Sequence, residues 1–271
     1  MRQDTDFNRD SFVLVKPGLS AIPVSAWGAE QPFRPDPLKS GIEFAGAEVR
    51  ALQQGEFFSL AMLWVTRIEK LWNEPAGASN KSCASCHQDA RTSMKGVSAQ
   101  YPQYIATDAG TSQLSNIEGR INLCRTQNQQ AAPLRYESAE LLGLTAYVGL
   151  QSRGLQVKVE INTHNRSNFD RGTAIFYNRM GQLNLACSQC HDRNFGRKLL
   201  NDTLSQGHSN PYPAYRLEWQ TVGSLHRRLR ACFFGVRAEM PPAGSQDLLD
   251  LELFLAWRAQ GLKVETPRVR R

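Results

Sequence analysis

Cys83-Ala84-Ser85-Cys86-His87 and Cys187-Ser188-Gln189-Cys190-His191 are two copies of Cys-x-x-Cys-His. Thiols three positions apart can each add to one vinyl group of a haem, and the histidine that follows then presents imidazole to the iron. Each copy therefore predicts one covalently bound haem c. Cys83 and Cys86 tether the first and His87 ligates it; Cys187, Cys190 and His191 do the same for the second. A structural zinc site competes, because Cys124 and Cys232 give each half three cysteines and a histidine. Zinc sites usually separate their ligand pairs by a loop, however, and here the histidine directly follows its cysteines. A redox disulfide leaves that histidine without a role.

The elements that must position these groups are written twice. Cys83 to His87 maps onto Cys187 to His191. At nearly the same offset Ile117, Arg120, Ile121 and Cys124 map onto Leu225, Arg228, Leu229 and Cys232, and Leu141 to Leu155 maps onto Leu248 to Leu262. A near-constant offset reads as a duplicated unit. In each copy a helical segment (Met62 to Trp72, Asp170 to Phe176) leads to the haem motif. A loop-rich stretch around Tyr101-Pro102 or Pro211 to Tyr215 follows. A short helix then carries the third cysteine, with Ser115 and Glu118 in a capping-box pattern and Ile117, Ile121 and Cys124 on one face. An amphipathic helix closes each unit, Ser138 to Ser152 and Ser245 to Gln260, with Gly154 and Gly261 placed to end it.

The expected fold is mostly α: two tandem, duplicated cytochrome c-like domains, residues 41–155 and 156–271, behind an extended proline-rich N-terminal arm, residues 1–40. Val157 to Ile161 is the one clear alternating run and is expected as a strand at the join.

Composition narrows the partners. The 271 residues suit one large or two ordinary domains, and 41% are hydrophobic, enough for sizeable cores. The formal charge of +7 leaves out the acidic haem propionates, so it does not argue for nucleic acid and fits an anionic small substrate or an acidic protein partner equally well; no nucleic-acid partner is expected. No apolar run reaches the roughly 18 residues of a membrane span. Residues 1–6 lack the apolar core of a secretory signal. Covalent haem attachment is extracytoplasmic in bacteria, so a periplasmic location with a leader already removed is expected.

The second axial ligand decides what the haems do. Each unit holds one cysteine not used for attachment, one helical turn after an arginine, which points to thiolate ligation by Cys124 and Cys232 rather than to a buried structural thiol. A thiolate stabilises ferric iron and lowers the potential, which suits sulfur chemistry better than electron carriage. Met240, in Glu239-Met240-Pro241-Pro242, stays open as a ligand for the second haem. Met94, His164, His208 and His226 have no partner in the repeat and are expected on the surface or in loops. Around Cys232 the run His226-Arg227-Arg228-x-Arg230 concentrates positive charge, which lowers a thiol pKa and binds oxyanions.

Met62-Leu63-Trp64-Val65, Lys81 to His87, the Arg120-x-x-x-Cys124 and Arg228-x-x-x-Cys232 pairs and Leu251 to Arg258, in this order, resemble the SoxA family of dihaem cytochrome subunits from the bacterial thiosulfate-oxidising system. The resemblance implies His/Cys ligation of both haems and a small SoxX cytochrome as partner. It implies Cys232 as the catalytic sulfur, often carrying an extra sulfur as a persulfide, and Arg228 as its neighbour in the substrate channel. The implied reaction joins thiosulfate to a cysteine of a SoxYZ carrier, giving a cysteine S-thiosulfonate and passing two electrons to the SoxX haem. Two alternatives stand beside it: a dihaem electron-transfer cytochrome without catalysis, and a thiosulfate dehydrogenase that forms tetrathionate.

Overall fold

The computed structural model describes residues 32–54, 60–106 and 110–271. In chain order it contains α1 (Ala47–Gln54), α2 (Leu60–Asn73), α3 (Cys83–His87), α4 (Ala90–Ser93), β1 (Gln103–Ala106), β2 (Ser112–Ser115), α5 (Ile117–Gln127) and α6 (Ala139–Leu150). It continues with α7 (Arg166–Tyr177), α8 (Cys187–His191), β3 (Lys198–Leu199), β4 (Asp202–Thr203), β5 (Ala214–Arg216), β6 (Thr221–Gly223), α9 (Leu225–Gly235), α10 (Gln246–Arg258) and β7 (Arg268–Arg270). The molecule is helix-rich, and its strands are short.

Two helix pairs carry the cores. Ala61, Val65, Ile68 and Trp72 recur at helical spacing along α2 and are all buried, so this stripe packs on α6. Ser138 caps α6 by accepting from the Leu141 N–H at 3.3 Å, as expected of a serine at that boundary. At the crossing a Cβ on Gly143 would lie 2.1 Å from Ile68 Cγ1, so any larger residue would force Ile68 to shift. The second pair, α7 on α10, buries Phe169, Phe176 and Phe254. Its close approach uses Gly172, whose Cβ would lie 2.0 Å from the carbonyl oxygen of Asp250. The buried Asp250 accepts from Asn168 (2.6 Å), Gln246 (2.7 Å) and Arg171 (2.6 Å), which satisfies its charge.

Each attachment motif is held by the same device. Isolated bridges Ala76 to Lys81 and Met180 to Leu185 close a tight turn just before α3 and α8. Gly77 and Gly181, both at positive φ, press their backbones onto the loops that follow α5 and α9. Ala78 and Ser79 N–H donate to Gln130 and Gln129, and Gln182 and Leu183 N–H donate to Arg237 and Val236. These bonds fix each motif relative to its third cysteine.

Several local expectations need correction. The loop-rich stretches before α5 and α9 contain antiparallel hairpins, β1 with β2 and β5 with β6. The α5 cap is Asn116, which accepts from Gly119 N–H at 2.9 Å, while Ser115 ends β2 and donates to the Asn116 carbonyl. Val157 to Ile161 joins no sheet: Lys158 N–H donates to Ala99 and Val157 N–H to Leu262, each at 2.8 Å, so the run is tied to both sides of the join. β7 is an unexpected strand at the chain's end, parallel to β5, with Arg216 in register with Arg270.

The residues from 32 onward pack as one compact unit, and the C-terminal segment returns over the first half, Val264 N–H donating to Leu155 at 2.8 Å. The arm expected over 1–40 falls outside the described residues up to residue 31. Residues 33–39 lie against the second half: Phe33 N–H donates to the Tyr177 hydroxyl at 2.9 Å, and Lys39 N–H to Gln206 at 2.7 Å.

Candidate functional site

One turn of helix, α8, presents Cys187, Cys190 and His191 together. His191 Nδ1 donates to the carbonyl of Ser205 at 2.8 Å, which fixes the ring and leaves Nε2 as the nitrogen that would ligate a metal. The strand of chain behind it must come close, and Gly207 at φ +74 makes that possible: a Cβ there would lie 2.8 Å from the imidazole.

Facing His191 is Cys232 of α9, within hydrogen-bonding reach of the imidazole. Ser224 caps α9 by accepting from Arg227 N–H at 3.0 Å and thereby sets the phase that turns Arg228 and Cys232 to one face. Burial works against a thiolate at Cys232, but the Arg228 guanidinium, the His191 hydrogen bond and Arg216 bring its pKa down to about 7. Cys187 behaves in the opposite way, pushed up to about 12 by burial and by the nearby Cys232.

Beside this pair opens a cavity of about 1010 Å³, walled by His191, Tyr212, Arg216, Glu218, Arg228 and Arg270 among others. Arg216 is a buried side chain on β5, donating to Glu218 at 2.8 Å and to the Tyr212 hydroxyl at 3.2 Å. Arg228 lies 4.0 Å from the same Glu218 oxygen, and the Cys232 sulfur raises its pKa. Arg227, part of the same basic run, lies over the Trp219 ring at 4.4 Å. The donor set fits a covalent haem: two thiols for attachment, an imidazole with an anchored Nδ1, a facing thiol and room on the scale of a large cofactor.

In the first half α3 presents Cys83, Cys86 and His87. Trp72 packs on His87 with ring centroids 5.9 Å apart and anchors the next residue, donating to the Gln88 carbonyl at 2.9 Å. Burial, together with Arg120, lowers the His87 pKa, so the arginine of α5 faces this imidazole. Burial and the neighbouring Cys124 push up the Cys83 thiol. Every cysteine and histidine expected from the motifs is thus brought to one of two places, each with a third cysteine beside it.

The weaker candidates are redistributed. His164 is exposed, Met94 is half-buried in the first core, and Met240 is 41% exposed. His208 and His226, expected on the surface or in loops, are both buried; His208 does lie in a loop, whereas His226 sits in α9. Burial, aided by Arg258, drives His208 down to about 3. His226 lies between the halves: Nδ1 accepts from Gly244 N–H at 3.0 Å, and Nε2 meets Glu252 at 2.9 Å. Burial and the adjacent Glu252 push Glu118 in the same cluster up to about 7. Arg216 was not among the expected residues. It stands on a strand of three residues with no motif around it, and only the tertiary pairing of β5 brings it toward Cys232.

Residues 67–157 match a family model described as SoxA/TsdA, cytochrome c domain. The L-cysteine S-thiosulfotransferase subunit SoxA of Pseudaminobacter salicylatoxidans is 42% identical over 232 residues, covering 85% of this chain and 80% of that protein. The subunit of the same name from Paracoccus pantotrophus is 36% identical over 235 residues, covering 87% and 80%. A crystal structure of SoxXA from P. pantotrophus is similar in fold, with a TM-score of 0.81, 36% identity and 86% of both chains covered. Among the described residues no helix is long and apolar enough to cross a membrane.

Proposed function

The chain belongs to the SoxA family, and from that premise we propose that it is a periplasmic dihaem cytochrome c that couples thiosulfate oxidatively to a cysteine of a SoxYZ-like carrier. A SoxX-like small cytochrome is its partner and receives the electrons. The observation that carries this reading is the pairing of Cys232 with Arg228 on one face of α9, where the thiol is brought down to about 7 and Arg228 joins Arg216 and Arg270 in the wall of the neighbouring cavity.

Two haems are inferred from two attachment motifs, each beside a third cysteine. Cys83 and Cys86 tether the first, with His87 and Cys124 as ligands; Cys187 and Cys190 tether the second, with His191 and Cys232 as ligands. The matching turns at Gly77 and Gly181, bonded in the same way to the loops after α5 and α9, support a duplicated pair of cytochrome c-like domains, 41–155 and 156–271. The exposed Met240 and the inward Cys232 favour the thiol as second ligand. When bound, haem supplies an electron acceptor beside the Cys232 sulfur.

This chain's own residues do the rest. Arg228 holds the sulfonate end of thiosulfate and neutralises part of its charge. The outer sulfur is thereby aimed at Cys232, whose pKa, brought down to about 7, leaves a substantial share of the sulfur as nucleophilic thiolate near neutrality. A carrier thiol and thiosulfate give the cysteine S-thiosulfonate with release of one proton and two electrons. Replacing Arg228 by Ala is the test: thiosulfate turnover falls while both haems remain attached, and unchanged turnover removes Arg228 from the site. Intact mass measures the cofactor count independently.

A further inference from the structure

The cavity beside Cys232 holds more cations than its single motif arginine. Arg270 is paired with Glu265 and Arg271 with Asp202, so each carries its own carboxylate. Arg216 and Arg228 differ, because both turn to one oxygen of one acid: Glu218 Oε1 lies 2.8 Å from Arg216 and 4.0 Å from Arg228. Two guanidiniums share one carboxylate.

Their surroundings are unequal. The Arg216 side chain is only 7% exposed and is held by the Tyr212 hydroxyl, by the Trp219 ring at 5.1 Å and by the pairing of β5 with both β6 and β7. Glu218 stands in the turn between β5 and β6 with its side chain 41% exposed. The cation is fixed while the carboxylate can swing to water. A buried guanidinium needs an anionic partner, and here that partner is the replaceable member.

We infer that Arg216 and Arg228 form a two-guanidinium clamp for the oxyanion end of the substrate, with Glu218 as an internal counterion that a bound dianion displaces. The inference rests on the reading of Arg228 as the sulfonate-holding residue and extends it to β5. A tetrahedral sulfonate offers three oxygens, enough to accept from both guanidiniums at once. Displacing Glu218 exchanges one negative charge for two, which favours dianions over monoanions. The carboxylate also keeps the arginines poised when no substrate is present.

The test is calorimetric titration of the haem-loaded complex with thiosulfate, and separately with sulfate, in the absence of carrier protein. Glu218→Gln is expected to tighten both oxyanions about tenfold, since the internal competitor is gone, and to lower KM for thiosulfate. Arg216→Gln is expected to weaken both by about tenfold, with partial recovery in Arg216→Lys. Unaltered affinities in Glu218→Gln and Arg216→Gln, with binding still lost in Arg228→Ala, overturn the clamp and leave the role of Arg228 standing. Equal affinity in all variants, Arg228→Ala included, removes the underlying reading as well. Glu218→Gln lies in an exposed turn and keeps the proposal falsifiable should Arg216→Gln fail to fold.

Discussion

His191 Nδ1 donates to the backbone carbonyl of Ser205 at 2.8 Å, while Gly207, two residues further on, turns at φ +74 against the same ring. The carbonyl chooses the tautomer and the glycine makes room for the approach. Gly207→Ala is therefore expected to do two kinds of damage, a strained left-handed backbone and a Cβ within 2.8 Å of the imidazole. A cost of about 1–3 kcal/mol in stability follows. The ring must tilt, so the visible spectrum of the second haem shifts as well; a variant with unaltered spectrum and unfolding midpoint would show that the turn relaxes freely.

Glu118 makes stability depend on pH. Burial and the adjacent Glu252 hold its pKa up at about 7, and His226, with Glu137 and Tyr136 nearby, completes the cluster. An acid whose folded pKa is raised stabilises the fold below its unfolded value and loses that contribution as pH rises through the folded one. Burial alone would lower the His226 pKa, but Glu252 reverses this and raises it, so the histidine acts in the same direction. Denaturant midpoints are expected to fall between pH 5 and 8, by an amount on the order of 1–3 kcal/mol. Glu118→Gln should flatten that profile. An equally steep profile in the variant would place the titration elsewhere.

The same cluster shows what the amino-acid order could and could not tell. Helices α6 and α10 announce themselves by dense apolar runs with a serine just before them, Ser138 and Ser245, and α2 by Ala61, Val65, Ile68 and Trp72 at helical spacing. Cys124 and Cys232 were found because the repeat compares like with like. Glu118 and His226 occupy equivalent positions in that repeat, and yet nothing local says that they are buried together, because the contact is made between halves far apart in the chain. Asn116 and Ser115 are both good caps, and the choice fell to Asn116 because Ser115 was already committed to the β1–β2 ladder. β5 and β7 are three residues each and gain their identity only by tertiary pairing, β5 with β6 and β7, so no local signal singles out Arg216.

Two glycines at helix crossings should not be equally costly to replace. A Cβ on Gly172 meets backbone, the Asp250 carbonyl at 2.0 Å, whereas one on Gly143 meets the side chain of Ile68 at 2.1 Å. A side chain can change rotamer and a carbonyl cannot retreat without moving its helix. Gly172→Ala would also disturb the buried Asp250, which Asn168, Gln246 and Arg171 satisfy. Chemical denaturation should show a loss of about 3 kcal/mol or more for Gly172→Ala and about 1–2 kcal/mol for Gly143→Ala. The reverse order would mean that α2 cannot adjust around Ile68.

Cys124 and Cys232 stand at matching places and should nevertheless respond differently to removal. The α9 thiol faces Arg228, Arg216 and His191 and is brought down to about 7, beside a cavity of about 1010 Å³ that a dianion can enter. The α5 thiol has Cys83 as its near neighbour, and the arginine one turn before it, Arg120, bears on His87 and Tyr101. Guanidinium groups and a thiol of lowered pKa are thus brought together in the second half, where the proposed anion site lies. Cys232→Ser is expected to abolish coupling of thiosulfate to the carrier, by at least a hundredfold, because a hydroxyl at this position stays protonated and donates weakly to iron. Haem should remain attached through Cys187 and Cys190, so intact mass separates loss of chemistry from loss of cofactor. Cys124→Ser should alter the spectrum of the first haem and leave most of the turnover in place. Comparable loss of turnover in both variants would make the two haems parts of one catalytic unit, and the asymmetry of charge between α5 and α9 would then need a different explanation.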